Sequence, residues 1–363
     1  MRTIHVRTQQ PYDVVIGVGA LDRLPEALGG ASQAAVIFSS ALAVAAREVA
    51  RRCEAAGVRP CLVEVPVGEA AKTTGTLDAC WRALARADFT RSDVVIGVGG
   101  GATTDLAGFV AATFLRGCAW IAVPTSVLGL VDAAVGGKTG ADLPEGKNLI
   151  GAFWEPRAVL ADLDLLAGLP ADEVSSGLVE AVKMGFTSDR RIVSSVLDDP
   201  AEALDVTSER FLDVVARAVR VKAAAVSDDL REKTSQVGGQ IGREVLNYGH
   251  TLAHAIETHE GYTWRHGVAV GVGMVYAAEL ARLTLRLSEA TVDLHRQVLT
   301  ALGLPTAYDG ATFEEVRALM ARDKKTRGAH LRFVLLRAFG EPTIFPDPPE
   351  DALRAAYAAI APW

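Results

Sequence analysis

DVVIGVGGGATTDLAGF, Asp93 to Phe109, carries the clearest fold signal in the chain. Its opening is a short apolar, β-branched run of strand length. Its close lacks Pro and reads as a helix, and glycines at 97, 99, 100 and 101 make the turn between them. A strand that turns through glycines into a helix is half of a β-α-β unit. The rhythm continues on both sides. YDVVIG, AAVIFSS, CLVEVPV and AWIAVPTS are further strand candidates, and helices are expected over Ala41 to Ala56 and Thr74 to Ala87. This alternation implies a largely parallel sheet with helices packed on it.

From about Leu165 the pattern changes to long helical segments, Ala171 to Phe186, Phe211 to Asp228 and Gly267 to Leu287. The segment LADLDLLAGLP reads as a turn-rich link between two domains. The expected fold class is therefore α/β, with an N-terminal Rossmann-like nucleotide-binding domain over residues 1–165 and a C-terminal all-helical metal-binding domain over 166–363. No repeat of 20 to 50 residues occurs, which removes solenoids and arrays. TSQVGGQIG, Thr234 to Gly242, carries three glycines and reads as a loop.

The chain has 363 residues, half of them hydrophobic and 22% charged, as is ordinary for a globular protein of two domains. A net charge of −7 argues against nucleic-acid and acidic-membrane surfaces, so any anion site has to be built from particular residues. Cys53, Cys61, Cys80 and Cys118 form no C-x-x-C pair and read as small buried hydrophobes in a reducing compartment. No charge-free apolar run reaches the roughly 20 residues of a bilayer span, and the N-terminus has no apolar signal region. A cytoplasmic enzyme is expected.

Glycines at the end of a strand let a pyrophosphate approach the backbone, and the following helix N-terminus offers free N–H groups and a partial positive charge. A nucleotide is the natural ligand of Gly97 to Gly101. The spacing matches G-x-G-x-x-A only loosely, and it falls at about the fourth strand rather than the first. Ser39 and Ser40 end one strand, and Gly68, Glu69 and Lys72 follow another, where ribose contacts often lie. Each of these reads equally well as a solvated loop residue or a helix cap.

PTSVLGLVDAAVGGKTGADLPEGKN places Asp132, Lys138, Lys147 and Asn148 on a Gly-rich path. GGKT fails the Walker pattern, because Asp132 stands where a Gly is required, so an NTPase is rejected. A flexible segment remains that presents two ammonium groups and an amide to a small anionic, hydroxyl-rich ligand, buried at a domain cleft.

Four of the seven histidines fall within NYGHTLAHAIETHEGYTWRH, Asn247 to His266. His250 and His254 share a helical face. If that helix ends near Glu260 and the next begins at His266, the turn brings His266 beside His250. The segment is not HExxH, and histidines alone leave a divalent site short of a negative ligand. Glu180 is the candidate carboxylate. Glu180 and Lys183 in GLVEAVK lie three apart on an apolar face, as either a weak surface pair or the lining of a polar site.

Taken together, GGGATTDLAGF, PTSVLGLVDAAVGGKTG, GKNLIGAF, GLVEAVK, LNYGHTLAHAIE and WRHG resemble, in order and over essentially the whole chain, the 3-dehydroquinate synthase family of sugar-phosphate cyclases. The resemblance implies NAD and a divalent metal, usually zinc with cobalt as an alternative. It implies zinc ligands at Glu180, His250 and His266. It places Asp132, Lys138, Asn148, Lys183, Lys222, Arg243, Asn247, His254 and one or both of Lys324 and Lys325 around a phosphorylated sugar acid. Lys138, Asn247, His254 and Lys324 or Lys325 would hold its phosphate, and Lys222 and Arg243 its carboxylate. Cofactor contacts are expected at Ser39, Glu69, Lys72, Gly99, Gly100, Gly101, Asp105, Thr125, Ser126, Lys138 and Lys147. Arg116 matches an arginine lent to a neighbouring subunit, which implies a homodimer.

The implied reaction converts the acid phosphate DAHP to 3-dehydroquinate, a step of the shikimate pathway. A hydroxyl is transiently oxidised, phosphate is eliminated, and an aldol step closes the ring. There are departures. Val268 stands where many members have Glu after His-Gly, Asp142 occupies an Asn position, and TSQVGGQIG adds residues before Arg243. The last points to a paralogue, aminodehydroquinate synthase, which takes the amino analogue of the substrate. Cyclases of substrates without a carboxylate fit less well, given Lys222 and Arg243. A metal-dependent alcohol dehydrogenase has no use for so many cations, and a non-catalytic NAD-binding protein would not be expected to keep all three metal ligands.

Overall fold

A computed structural model describes residues 1–231, 242–327 and 331–362, the side chains of 322–327 excepted. The chain divides into two compact units, one of residues 1–170 with 222–231, the other of 171–221 with the described chain from 242 onward.

The first unit is built on a seven-stranded sheet. β1 (Arg2–Val6) pairs antiparallel with β2 (Tyr12–Gly17), and the short helix α1 (Leu24–Leu28) leads into β3 (Gln33–Ser39). There follow α2 (Ala43–Ala55), β4 (Arg59–Val65), α3 (Thr74–Arg86), β5 (Val94–Gly99), α4 (Gly101–Thr113) and β6 (Ala119–Pro124). A separate hairpin of β7 (Lys138–Leu143) and β8 (Gly146–Phe153) precedes β9 (Ala158–Asp162). The sheet order is β1-β2-β9-β6-β5-β3-β4, parallel from β2 onward. All seven residues of β3 and all six of β5 are buried, as expected for parallel strands covered on both faces. Val36, Phe38, Ile96, Val98, Ile121 and Val123 pack with Leu21, Leu24, Leu28 and Val49 in one core cluster.

The order turns back at β3, which has β4 on one side and β5 on the other. The crevice at the carboxyl ends of β3 and β5 is thus a topological switch point, where open α/β sheets bind ligands. That explains how a glycine turn after a late strand can still be a nucleotide loop.

The expected link LADLDLLAGLP begins inside β9, whose five residues are all buried between β2 and β6, and runs on through a 3-10 turn, Leu163–Leu166, to Pro170, where the first unit ends. One expectation needs correction here. The stretch from Asp132 to Asn148 is not a flexible path, because after one π-helical turn, Gly129–Ala133, it becomes the β7–β8 hairpin. Its glycines serve close strand approach: a Cβ on Gly140 would stand 2.6 Å from the Ile150 carbonyl oxygen.

The second unit has a helical frame of α5 (Ala171–Thr187), α6 (Arg190–Asp198), α7 (Pro200–Leu204), α8 (Glu209–Asp228), α9 (His250–His259), α10 (His266–Leu285), α11 (Glu289–Ala301), α12 (Phe313–Arg327) and α13 (Glu350–Ala358). The last turns of α8 group with the first unit. It is not wholly helical. β10 (Arg332–Ala338) and β11 (Glu341–Pro346) form an antiparallel hairpin around Gly340, encoded by the β-branched and aromatic run on either side of that glycine. Helix α10 packs against α5, α9, α11, α13 and β10 and is buried over most of its length. It is long and apolar enough to cross a membrane, and its central place in the core accounts for that apolarity.

Candidate metal centre and nucleotide site

Helix α5 is buried from Val174 through Thr187, so its face carrying Glu180 and Lys183 has no access to solvent. Glu180 is 0% exposed and Lys183 1%. The surface-pair alternative is therefore excluded. Lys183 Nζ donates to Glu180 Oε2, while Glu180 Oε1 is buried with no hydrogen-bond partner among the described residues. A buried carboxylate oxygen without a donor is costly unless a cation meets it.

Two imidazoles face that oxygen. His250 Nε2 stands 3.7 Å and His266 Nε2 3.6 Å from Glu180 Oε1, beyond hydrogen-bond reach. Tetrahedral zinc with bonds of ~2.0–2.1 Å separates its ligand atoms by about 3.3 Å, so the donor set fits such an ion closely. The remaining ring nitrogens are engaged: His250 Nδ1 lies 3.2 Å from the Tyr248 carbonyl oxygen and His266 Nδ1 3.2 Å from Glu257 Oε1. Each partner is an acceptor, so Nδ1 donates in both rings and Nε2 is the nitrogen left to face a metal, which would displace any proton it carries.

Local sequence explains the placement. Gly249, in the left-handed region at φ 81°, caps α9, so that His250 opens the helix. A Cβ there would meet Met274 N at 2.9 Å, which shows how closely the cap sits on α10. α9 ends at His259, a six-residue turn follows, and α10 starts at His266. Gly267 lets α10 approach α5, since a Cβ at that position would lie 2.6 Å from the carbonyl carbon of Ser176. Arg265, just before His266, pairs with Asp172 and Glu173 in the first turn of α5.

Charges at the centre are strongly coupled to position. Burial opposes the Glu180 charge, but Lys183 and the two histidines outweigh it and hold the carboxyl well below its ordinary range. Burial and the Lys183 ammonium keep His250 well below the usual imidazole value. Burial also works against a charge on His266, yet Glu180 and Glu257 raise it to about 10. The negative potential between these two carboxylates is where a cation gains most.

The other expected residues of this unit lie as follows. His254, one turn beyond His250, is exposed, with its ring centroid 5.4 Å from that of His250. Arg243 is buried in the 3-10 helix Gly242–Asn247, and Asn247 at its end keeps a buried Nδ2 with no hydrogen-bond partner among the described residues. Lys324 and Lys325 fall in α12, with side chains outside the described residues, as are positions 234–241 of the glycine-rich insert.

In the first unit, Gly99 to Gly101 join β5 to α4, Thr125 and Ser126 follow β6, Ser39 ends β3, and Glu69 and Lys72 follow β4. All stand at the carboxyl ends of parallel strands. Packing accounts for part of the glycine content: a Cβ on Gly97 would come 2.7 Å from Ala107 Cβ, and one on Gly99 2.5 Å from Thr103 Oγ1. Gly100 and Gly101 are less confined, with nearest neighbours at 3.2 and 3.1 Å. The N-terminus of α4 has no side-chain cap, although Thr103 and Thr104 N–H both donate to the Gly100 carbonyl at 3.1 Å.

Lys72, 2% exposed, donates to Asp105 Oδ2 at 2.9 Å and also to Asn148 Oδ1. Asp142 Oδ1 accepts from the Asn148 backbone N–H at 2.7 Å, so this departure from the family pattern secures the hairpin turn. Burial raises the Asp105 carboxyl to about 6 even beside Lys72. Lys222 is buried and donates to the carboxylate and the backbone carbonyl of Asp132. Lys138, expected to be buried, is exposed at the first position of β7, ahead of the buried run Thr139 to Ala141. Lys147 is about one-third exposed, 3.5 Å from Glu69. Arg116 is exposed in a turn where Leu115 and Arg116 both have positive φ, 49° and 67°.

The family model described as 3-dehydroquinate synthase N-terminal matches residues 62–176, and that described as 3-dehydroquinate synthase C-terminal matches 177–326. The chain belongs to the 3-dehydroquinate synthase family. A 3-dehydroquinate synthase of Nocardia farcinica is 47% identical over 362 residues, covering 99% of this chain and 95% of that protein. Another, from an Arthrobacter species, is 50% identical over 351 residues, 96% and 95% of the two chains. Among solved structures, 2-epi-5-epi-valiolone synthase from Streptomyces hygroscopicus, with NAD+ and Zn2+ bound, superposes with a TM-score of 0.87 at 25% identity over 96% of each chain.

Membership in the 3-dehydroquinate synthase family does not by itself point to the partners of the two histidine Nδ1 atoms. Glu257 and Tyr248 were not singled out from the sequence. The available signal was the helical spacing of seven from His250 to Glu257, which places both on one side of α9.

Proposed function

We infer that the chain is a 3-dehydroquinate synthase, a phosphate-eliminating carbon–oxygen lyase that cyclises DAHP to 3-dehydroquinate. The observation that carries this is near-full-length identity of 47–50% to curated enzymes of that name. The domain roles are proposed as NAD binding over 1–165 and metal and substrate binding over 166–363. Gly99 to Gly101, Ser39, Glu69, Lys72, Asp105, Thr125, Ser126, Lys138 and Lys147 would hold NAD, and Glu180, His250 and His266 would hold zinc, with cobalt as a substitute. When bound, NAD supplies a reversible hydride acceptor and the metal a Lewis acid for vicinal substrate oxygens.

The chain's own residues do the rest. Lys222, with Asp132 beside it, and Arg243 are assigned to the substrate carboxylate, where a planar guanidinium suits bidentate pairing. Lys138, Asn247, His254 and Lys324 or Lys325 are assigned to the departing phosphate. The unsatisfied Nδ2 of Asn247 supports its part, since a ligand oxygen would complete it. Lys183 stays bound to Glu180 Oε2, leaving Oε1 for the metal. The protein is proposed to be cytoplasmic and a homodimer, with Arg116 contributed to the partner's site.

The test is phosphate release from purified protein with NAD and zinc, comparing DAHP with its amino analogue. Much faster turnover of DAHP is expected. Preference for the amino compound would assign the chain to the aminodehydroquinate branch and implicate the insert before Arg243, while net NADH formation without phosphate release would overturn the cyclase reading.

A further inference from the structure

We propose that Glu257 is a positioning residue of the metal centre, holding His266 in the tautomer that ligates and supplying charge that the ligands themselves lack. The proposal rests on the reading that Glu180, His250 and His266 bind a divalent cation.

Glu257 sits on α9, 8% exposed, with Oε1 3.2 Å from His266 Nδ1. An ionised carboxylate is an acceptor only, so the hydrogen of this bond lies on Nδ1, and Nε2, 3.6 Å from Glu180 Oε1, is the nitrogen that offers its lone pair once a metal takes the place of its proton. The two histidines are oriented by different means. His250 uses the Tyr248 carbonyl, a neutral backbone group that no side-chain change removes. His266 has an anion instead.

The need for that anion follows from charge. Glu180 is paired with the equally buried Lys183 ammonium, so the two cancel, and imidazoles, neutral when they ligate through Nε2 with Nδ1 protonated, add nothing. A divalent ion at the three ligand atoms would then bring two positive charges that Glu180, Lys183, His250 and His266 together do not offset, which is expensive in low dielectric. Glu257, one imidazole away, returns one negative charge and makes His266 a more basic ligand. Summed over Glu180, Lys183, Glu257 and the ion, one positive charge remains, suited to an anionic substrate.

The experiment measures zinc affinity of the full-length protein by chelator competition for wild type, Glu257→Gln and Glu257→Ala, with urea unfolding of each metal-free protein alongside. Loss of the carboxylate in Glu257→Ala is expected to weaken zinc by tenfold to hundredfold. The glutamine variant, whose amide oxygen still accepts from Nδ1 but lacks the charge, should fall between it and wild type. A merely structural role would lower the metal-free unfolding midpoint and leave the affinity of the folded protein unchanged, which would overturn the proposal, as would wild-type affinity in both variants. If Glu257→Ala does not fold, wild-type affinity in Glu257→Gln overturns it alone. Failure of wild type to bind zinc would instead refute the metal reading on which the proposal stands.

Discussion

Replacing Gly267 by Ala tests whether the distance between α10 and α5 controls the metal centre. The added Cβ would overlap the Ser176 carbonyl oxygen and stand 2.6 Å from the carbonyl carbon and 2.7 Å from Oγ. Carbon pairs settle at about 3.5–4.0 Å, so the helices would have to part by at least about 1 Å at this point, and by more to clear the oxygen. The obstacle is largely backbone and cannot rotate away. Overpacking of this kind costs about 1–3 kcal/mol or more, and at 3 kcal/mol a unit of this size melts roughly 6–12 °C lower. The effect on metal should be larger still. His266 is the adjacent residue and Glu180 lies one turn beyond Ser176, whereas ligand distances tolerate only about 0.2 Å. We expect zinc affinity to fall at least as far as for a lost orienting partner, about tenfold to hundredfold. Differential scanning calorimetry of metal-free protein and chelator competition for zinc read the two effects separately. A variant with wild-type melting temperature and wild-type zinc affinity would refute the argument that this contact sets the ligand geometry.

Two further predictions concern other parts of the chain. His295 is fully buried, stacked on Phe186 and 2.9 Å from the Tyr248 hydroxyl, and burial lowers its pKa to about 3. A depressed folded-state pKa means that its contribution to stability is complete above the unfolded value of 6.5 and is lost as pH falls from there toward 3. Between pH 7.5 and pH 5 this amounts to about 2 kcal/mol. His295→Gln should lose that much less stability than wild type over the same interval in urea titrations, and equal losses would show that His295 does not titrate on unfolding. For Arg116→Ala we expect a large loss of activity that added NAD does not restore. Mixing it with inactive His250→Ala protein should recover activity if each arginine serves the neighbouring site, and no recovery after demonstrated subunit exchange would refute the shared site.

Local pattern carried much of this protein. Strands and helices of the first unit follow from apolar runs punctuated by glycine, because side-chain periodicity and turn chemistry act within a few residues. The approach of His250 and His266 was legible for the same reason, since one helix, one short turn and the next helix start define it. Strand β9 and the β7–β8 hairpin were not, because a short apolar run becomes a central strand only through neighbours distant in sequence, and glycine-rich segments suit loops and closely paired strands alike.

The chain alone is enough to read the fold class and the family and to nominate two histidines and a carboxylate as candidate ligands. Only the folded chain shows that Gly97 and Gly99 serve packing, that Lys138 is exposed while Lys183 and Lys222 are buried and paired, and that Glu257 stands behind His266. The reason is physical. Ligand chemistry belongs to the residue, but the cost of a charge and the tautomer of an imidazole are set by whatever the fold places within a few ångströms of it.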